Sequence, residues 1–233
     1  MRLSVIVPVY NEAVTVAPVI EKLAALPLPA GDSMEIVAVN DASTDGSSEV
    51  LAQLAERGLI RLLTHPRNRG KGAALRTGIA AATGDRVLFH DADLEYDPAD
   101  IPRLLDAARS GLDIVYGSRF LEGGNAGATP LHALANRSLS LLTRILTGLP
   151  TSDMETCYKL VRADLLGRLD LREERFGIEP EITVKLGRLI RDEKLRYGEI
   201  PISYRPRGYD EGKKIGLRDG LRAIWALFRY RFF

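Results

Sequence analysis

Residues 85–98 read DRVLFHDADLEYDP. Val87, Leu88 and Phe89 form the apolar run expected of a buried strand. The chain then sets Asp91, Asp93, Glu95 and Asp97 at alternate positions. Like charges so crowded repel, and burial makes the repulsion worse, so the pattern calls for a positive charge at the end of this strand. Asp91 and Asp93, two apart at a strand end, can face the same way, and Glu95 joins them if the chain turns. Carboxylates so placed suit a hard divalent cation, Mg²⁺ or Mn²⁺, which keeps coordination positions open for phosphate. An EF-hand calcium loop is excluded, because the positions that need Gly and Glu, counted from Asp91, hold Tyr96 and Pro102. The competing reading is a solvated strand-to-helix loop, and Asp97, just before Pro98, reads as the cap of the helix that follows.

Similar apolar runs recur on either side: LSVIVPVY (3–10), MEIVAVND (34–41), LIRLLTH (59–65) and LDIVYGSR (112–119). Helical patterns at 13–26, 46–57, 71–82 and 99–110 alternate with them. Alternation of this kind predicts an α/β fold with a mostly parallel, Rossmann-like sheet covered by helices on both faces. In such sheets ligands bind beyond the carboxyl ends of the strands. The polar clusters fall there: YNE, NDASTDGS, HPRNRGKG, HDADLE and GSRF. After residue 120 the pattern loosens into a glycine-rich loop (122–130), a helix over 131–148, the segment SDMETCYKL, a helix near 180–192, a strand within 195–207, a polar loop GYDEGKKIG and a last helix over 217–232.

Lys and Arg number 32 against 31 Asp and Glu, a net charge of +1, so no overall field points to nucleic acid. The lone cysteine, Cys157, rules out a disulfide framework and fits a reducing, cytoplasmic setting. It reads as a small hydrophobe, and His90 as a packed strand histidine. No apolar run approaches the ~18 residues of a membrane span, and the opening MRLSVIVPVYNEA reads as a first strand rather than a signal peptide. No G-x-G-x-x-G follows that strand, which disfavours a dinucleotide oxidoreductase, and NRGKG is not a Walker loop.

VIVPVYNE, VNDASTDGS, NRGKGAALRTGI, DADLE and YGSRF, in this order, closely resemble the inverting, nucleotide-sugar-dependent glycosyltransferases of GT-A fold, and within them the dolichol-phosphate mannose synthase branch. The resemblance runs from Leu3 to about Lys214 and implies one catalytic domain over 1–214, with a nucleotide-sugar half (1–120) and an acceptor half (121–214), followed by an amphipathic helix over 215–233. It implies that Pro8, Tyr10 and Glu12 line the nucleotide pocket, that Asp41 and Lys71 contact the nucleotide, that Asp91 and Ala92 touch the ribose, and that Asp93 and Glu95 ligate the metal. Many relatives carry Gln at the position of Glu95, and either side chain offers an oxygen. Arg119 and Arg137 match acceptor-phosphate positions, and Arg207 and Lys213 a basic pair that closes over the diphosphate. Taken alone, Gly70 and Gly72 read as a turn into a helix, Arg119 as a surface arginine and Arg137 as part of a solvated helix face. Glu155 and Cys157 depart from the family pattern in a loop expected near the sugar and the acceptor.

The implied reaction transfers a hexose from GDP-mannose or UDP-glucose to a polyprenyl phosphate. That acceptor is already an anion near neutral pH and needs no base. The alternative acceptor, a saccharide hydroxyl, needs a carboxylate base, for which Glu155, Asp153 and Glu181 are candidates. Helix 131–148 carries Leu131, Leu134, Leu139, Leu142, Ile145 and Leu146, with Arg137 and Arg144 on one side. The last helix carries Leu217, Leu221, Ile224, Trp225, Phe228 and Phe232, flanked by Arg218, Arg222 and Arg229. The composition fits peripheral contact with the inner face of a membrane; packing against the core is the other reading.

Overall fold

The computed structural model describes residues 1–123, 130–207 and 217–232. Lys213 and the polar loop around it, expected to lie by the diphosphate, fall outside the described residues.

Seven strands form one sheet: β1 (Arg2–Val9), β2 (Ser33–Asn40), β3 (Arg61–Thr64), β4 (Arg86–Phe89), β5 (Ile114–Ser118), β6 (Lys159–Arg162) and β7 (Tyr197–Pro201), in the order β3-β2-β1-β4-β6-β5-β7. All pairings are parallel except those of β6, which runs antiparallel to both β4 and β5. β1 is buried on both faces from Leu3 to Val7, which is why its sequence, Ser4 apart, is an apolar run rather than an alternating one. Helices α1 (Val16–Ala24), α2 (Ser47–Glu56), α3 (Lys71–Ala81) and α4 (Ile101–Arg109) fill the crossovers of the first half. α5 (Pro130–Thr147), α6 (Ala163–Gly167), α7 (Ile178–Glu193) and α8 (Leu217–Phe232) belong to the second.

Three boundaries differ from the sequence expectation, each for a local reason. β4 stops at Phe89, so Asp91 and Asp93 lie beyond the strand, where the chain bends and brings Glu95 to the same cation as Asp93. The helix expected from residue 99 opens as a 3₁₀ turn at Pro98–Asp100, with Ala99 N–H donating to Asp97 Oδ1 at 3.1 Å, so Asp97 is the cap. The last strand ends at Pro201. Beyond it the backbone leaves the sheet, and Arg205 N–H donates to the Glu95 carbonyl at 2.9 Å.

The second half holds a small core of its own, in which Met154, Val184, Ala226, Leu227 and Tyr230 pack with Leu139, Leu142 and Leu146. α8 thus buries Ala223, Ala226, Leu227 and Tyr230, while Leu221, Trp225, Phe228 and Phe232 stay exposed. On α5, Leu134, Leu141 and Ile145 are exposed as well. The apolar stripe of α8 therefore faces outward, and the core takes the opposite side. Among the described residues no helix is long and apolar enough to cross a membrane.

Candidate active site

The loops after β1, β2 and β3 are tied together by short polar side chains. Pro8 lies half-buried near the end of β1, and Tyr10, just beyond it, is about one-third exposed, at 37%. Asn11 sits at φ 55°, in the left-handed region that Asn tolerates better than most residues. Its Oδ1 accepts from Thr44 N–H at 2.8 Å, and Glu12 N–H donates to Ser47 Oγ at 2.9 Å. Asp41 is almost wholly buried. It accepts from Arg69 N–H at 2.9 Å and Gly70 N–H at 2.7 Å, and His65 Nδ1 lies 2.7 Å from Oδ1. Its carboxylate therefore shapes the 65–70 loop.

Gly70 and Gly72 bring that loop against the segment before α7. Gly70 adopts φ +95°, and a Cβ on either glycine would strike the backbone carbonyl of Glu174 or Glu173. Ala73 N–H donates to Glu174 O at 3.0 Å. The close approach points Lys71 inward between two acids, with Nζ 2.7 Å from Asp91 Oδ1 and 2.8 Å from Glu179 Oε1. Burial works against its charge, but these two acids hold it protonated, well above the ordinary lysine range. Burial likewise opposes ionisation of Asp91, and Lys71 outweighs it, so its pKa falls. Ala92 is buried between the two acids of the D-x-D.

Asp93 turns to a different cation. Its Oδ2 accepts from Arg207 Nη2 at 2.6 Å, and its Oδ1 from Glu95 N–H at 3.0 Å. Arg207 also reaches Glu12, with Nη1 3.1 Å from Oε2, and its backbone N–H donates to Glu95 Oε1 at 2.8 Å. Glu95 Oε2 accepts from the Tyr204 hydroxyl at 2.9 Å. Burial, with Asp91 and Glu95 nearby, pushes Asp93 up to about 7 even with Arg207 beside it. Lys71 and Arg207, among the described residues, thus neutralise part of the acid run. Among the described residues, no three acids, histidines or cysteines lie close enough to enclose a metal ion. Asp93 and Glu95 nevertheless offer hard oxygens around one cationic position, a donor set that fits Mg²⁺ or Mn²⁺.

Arg119 and Arg137 are far less alike than their shared expectation implies. Arg119 is buried, and its Nε and Nη2 donate to Asp153 at 2.7 and 2.8 Å, with its backbone N–H on the same carboxylate at 3.0 Å. Its guanidinium lies 4.9 Å from the Tyr204 ring centroid, so it is not a surface arginine. Arg137 is exposed on α5 and stacks over Phe120 at 5.1 Å. The 153–157 loop, which carries Asp153, is pinned by Lys159, which is wholly buried and donates from Nζ to Met154 O at 2.9 Å and to Thr156 O. On this loop Glu155 leaves Oε1 buried with no partner among the described residues, as Glu179 leaves Oε2. Burial, then the charge of Glu179, raises Glu155 to about 7.

Sequence reading missed Glu179 and Tyr204, and it took Lys159 only as a loose match to the family pattern, without its anchoring role. Each reaches the site from a distant element, and no local spacing announces it. The one available signal was charge type: Lys159 and Glu179 lie in otherwise apolar or helix-initial surroundings, where an ionised group needs a partner.

Glycosyl transferase family 2 matches residues 4–169. The dolichol-phosphate mannosyltransferase of Pyrococcus furiosus is 29% identical over 238 aligned positions, covering 99% of this chain and 64% of that protein. An undecaprenyl-phosphate 4-deoxy-4-formamido-L-arabinose transferase of Pectobacterium carotovorum is 32% identical over 182 positions, covering 77% of this chain and 54% of the relative. The chain thus spans between about half and two-thirds of the length of these relatives. Among solved structures, glucosyl-3-phosphoglycerate synthase of Mycobacterium tuberculosis in complex with Mn²⁺, UDP and glucosyl-3-phosphoglycerate superposes with a TM-score of 0.71 at 23% identity, over 98% of this chain and 79% of that one. Mannosyl-3-phosphoglycerate synthase of Rubrobacter xylanophilus gives 0.73 at 20%, over 99% and 72%. The fold is GT-A, and the match across 4–169 places the chain in glycosyl transferase family 2.

Proposed function

We propose that the protein transfers a hexose from a nucleotide diphosphate sugar to a polyprenyl phosphate, with inversion and with a divalent ion at the Asp93–Glu95 cluster. The observation that carries this reading is the charge arrangement beyond β4, where Asp93 and Glu95 surround one cationic position and Lys71 neutralises Asp91 beside it. When bound, Mg²⁺ or Mn²⁺ supplies positive charge for the leaving diphosphate. Asp93 and Glu95 would hold it. Pro8, Tyr10 and Glu12 would line the nucleotide, and Asp91 and Ala92 the ribose. Asp41 acts on the nucleotide by fixing the 65–70 loop, and Lys71 by keeping Asp91 ionised. Arg207, with Lys213, would meet the charge that develops on the leaving group.

The acceptor assignment leans on the relatives, whose names specify dolichol phosphate and undecaprenyl phosphate. A phosphate nucleophile needs cations to approach another anion, and guanidinium is well suited to holding it. Arg137 is exposed for that role. Arg119, already paired with Asp153, would act with the edge of its guanidinium that the pair leaves over. The exposed apolar residues of α5 and α8, interleaved with Arg137, Arg144 and Arg229, would rest on the membrane surface that holds such a lipid. On this reading residues 1–214 work as one catalytic unit, with donor chemistry in 1–120, the acceptor in 121–214, and 215–233 as the membrane-facing helix.

A second reading is favoured by one observation. Glu155, with a free buried oxygen and a pKa of about 7, has the properties of a general base, which a saccharide hydroxyl acceptor would require. Transfer of label from GDP-mannose or UDP-glucose to polyprenyl phosphate in detergent separates the two. Arg137→Ala should lower transfer at least tenfold and Glu155→Gln should leave it within a few-fold. Absence of transfer to polyprenyl phosphate by the parent overturns the lipid acceptor, and full activity of Arg137→Ala removes Arg137 from its binding.

A further inference from the structure

We infer that the Arg207 guanidinium is a resident counter-cation that the divalent ion must displace, so that ion binding and release of the 204–207 segment are one exchange. This rests on the metal assignment above and goes beyond it. Arg207 sits amid three carboxylates: 2.6 Å from Asp93 Oδ2, 3.1 Å from Glu12 Oε2 and 3.9 Å from Glu95 Oε1. Asp93 and Glu95 are the carboxylates that would hold the ion. A divalent ion on Asp93 Oδ2 would lie against a like-charged guanidinium, and their repulsion disfavours sharing that oxygen. The guanidinium is also an incomplete tenant, because among the described residues its buried Nε has no hydrogen-bond acceptor.

Glu95 couples the two events. It holds the segment through three bonds: Arg205 N–H on its carbonyl at 2.9 Å, the Tyr204 hydroxyl on Oε2 at 2.9 Å and Arg207 N–H on Oε1 at 2.8 Å. Turning its carboxylate to an ion breaks the last two. The displaced Arg207 is then free to meet the diphosphate that arrives with the ion. The arrangement disfavours a bare ion and favours joint arrival of ion and donor, because the donor gives the expelled cation a new partner.

Titration of the protein with Mn²⁺ tests this, with and without UDP or GDP. Without nucleotide, Arg207→Gln should bind Mn²⁺ at least tenfold more tightly than the parent. Mn²⁺ should also raise the melting temperature of Arg207→Gln more than that of the parent. Adding Asp93→Asn to Arg207→Gln should abolish both effects. Equal Mn²⁺ affinity in parent and Arg207→Gln, with Mn²⁺ still binding the parent when nucleotide is present, overturns the exchange alone. Failure of the parent to bind Mn²⁺ with either nucleotide overturns the metal assignment and the exchange with it.

Discussion

At the scale of single residues, two buried charges set the character of the site. Arg119 and Asp153 form a closed pair, with Arg119 Nε and Nη2 on the two carboxylate oxygens and Asp153 wholly buried. Removing one partner leaves the other charged and desolvated, which typically costs about 3–5 kcal/mol. Arg119→Ala should therefore lower unfolding stability by that amount in denaturant titration, and a loss under 1 kcal/mol would show the pair to be dispensable. Glu155 behaves in the opposite sense. Its pKa rises from 4.5 to about 7 on folding, so the folded state binds the extra proton between those values. Its stabilising contribution is whole below pH 4.5 and is lost as pH climbs through about 7, by roughly 3 kcal/mol at most. Comparing the unfolding free energies of the parent and Glu155→Gln at pH 5.5 and 8 isolates this slope. The variant should gain on the parent at the higher pH, and parallel curves would contradict the burial of that carboxyl.

At the scale of elements, α3 is held where it is by what its first turn lacks. Gly70 and Gly72 let the backbone carbonyls of Glu173 and Glu174 close on the helix start, which aims Lys71 between Asp91 and Glu179. Gly72→Ala should cost about 1–3 kcal/mol through overpacking and weaken nucleotide binding through the displaced lysine. Thermal melts with a nucleotide titration would register both losses together, whereas a neutral variant would mean that the approach is looser than described. The alternation of apolar runs and helical patterns was enough to read β1 to β5, β7 and the flanking helices, because β1, β4 and β5 are largely buried apolar runs and α1 and α4 each turn an apolar face to the core. β6 was not legible. Its four residues, KLVR, begin with a lysine whose burial depends on the carbonyls of Met154 and Thr156, and nothing local signals an antiparallel strand between β4 and β5. The same holds for the site. The acids of 91–95 announced a need for positive charge, and Lys71 and Arg207 meet part of it. The partnerships Lys71–Glu179 and Glu95–Tyr204 join elements far apart in sequence, and only folding brings them together.

At the scale of the whole molecule, the second half exposes Leu134, Leu141 and Ile145 from α5 and Leu221, Trp225, Phe228 and Phe232 from α8. Exposed apolar residues interleaved with arginines suit an interfacial surface. Trp225→Ser with Phe228→Ser should reduce co-sedimentation with anionic vesicles several-fold and leave the melting temperature nearly unchanged, since the buried face of α8 is Ala223, Ala226, Leu227 and Tyr230. Unchanged sedimentation would remove the membrane from the account. The central claim is that ion-dependent sugar transfer takes place at the acids beyond β4, and its most direct test is label transfer from the nucleotide sugar to polyprenyl phosphate by the parent and by Asp93→Asn, each with Mn²⁺ and with EDTA. The account predicts transfer by the parent in Mn²⁺ alone, and a fall of about 100-fold or more in Asp93→Asn. Equal transfer in EDTA, or by Asp93→Asn in Mn²⁺, would contradict it.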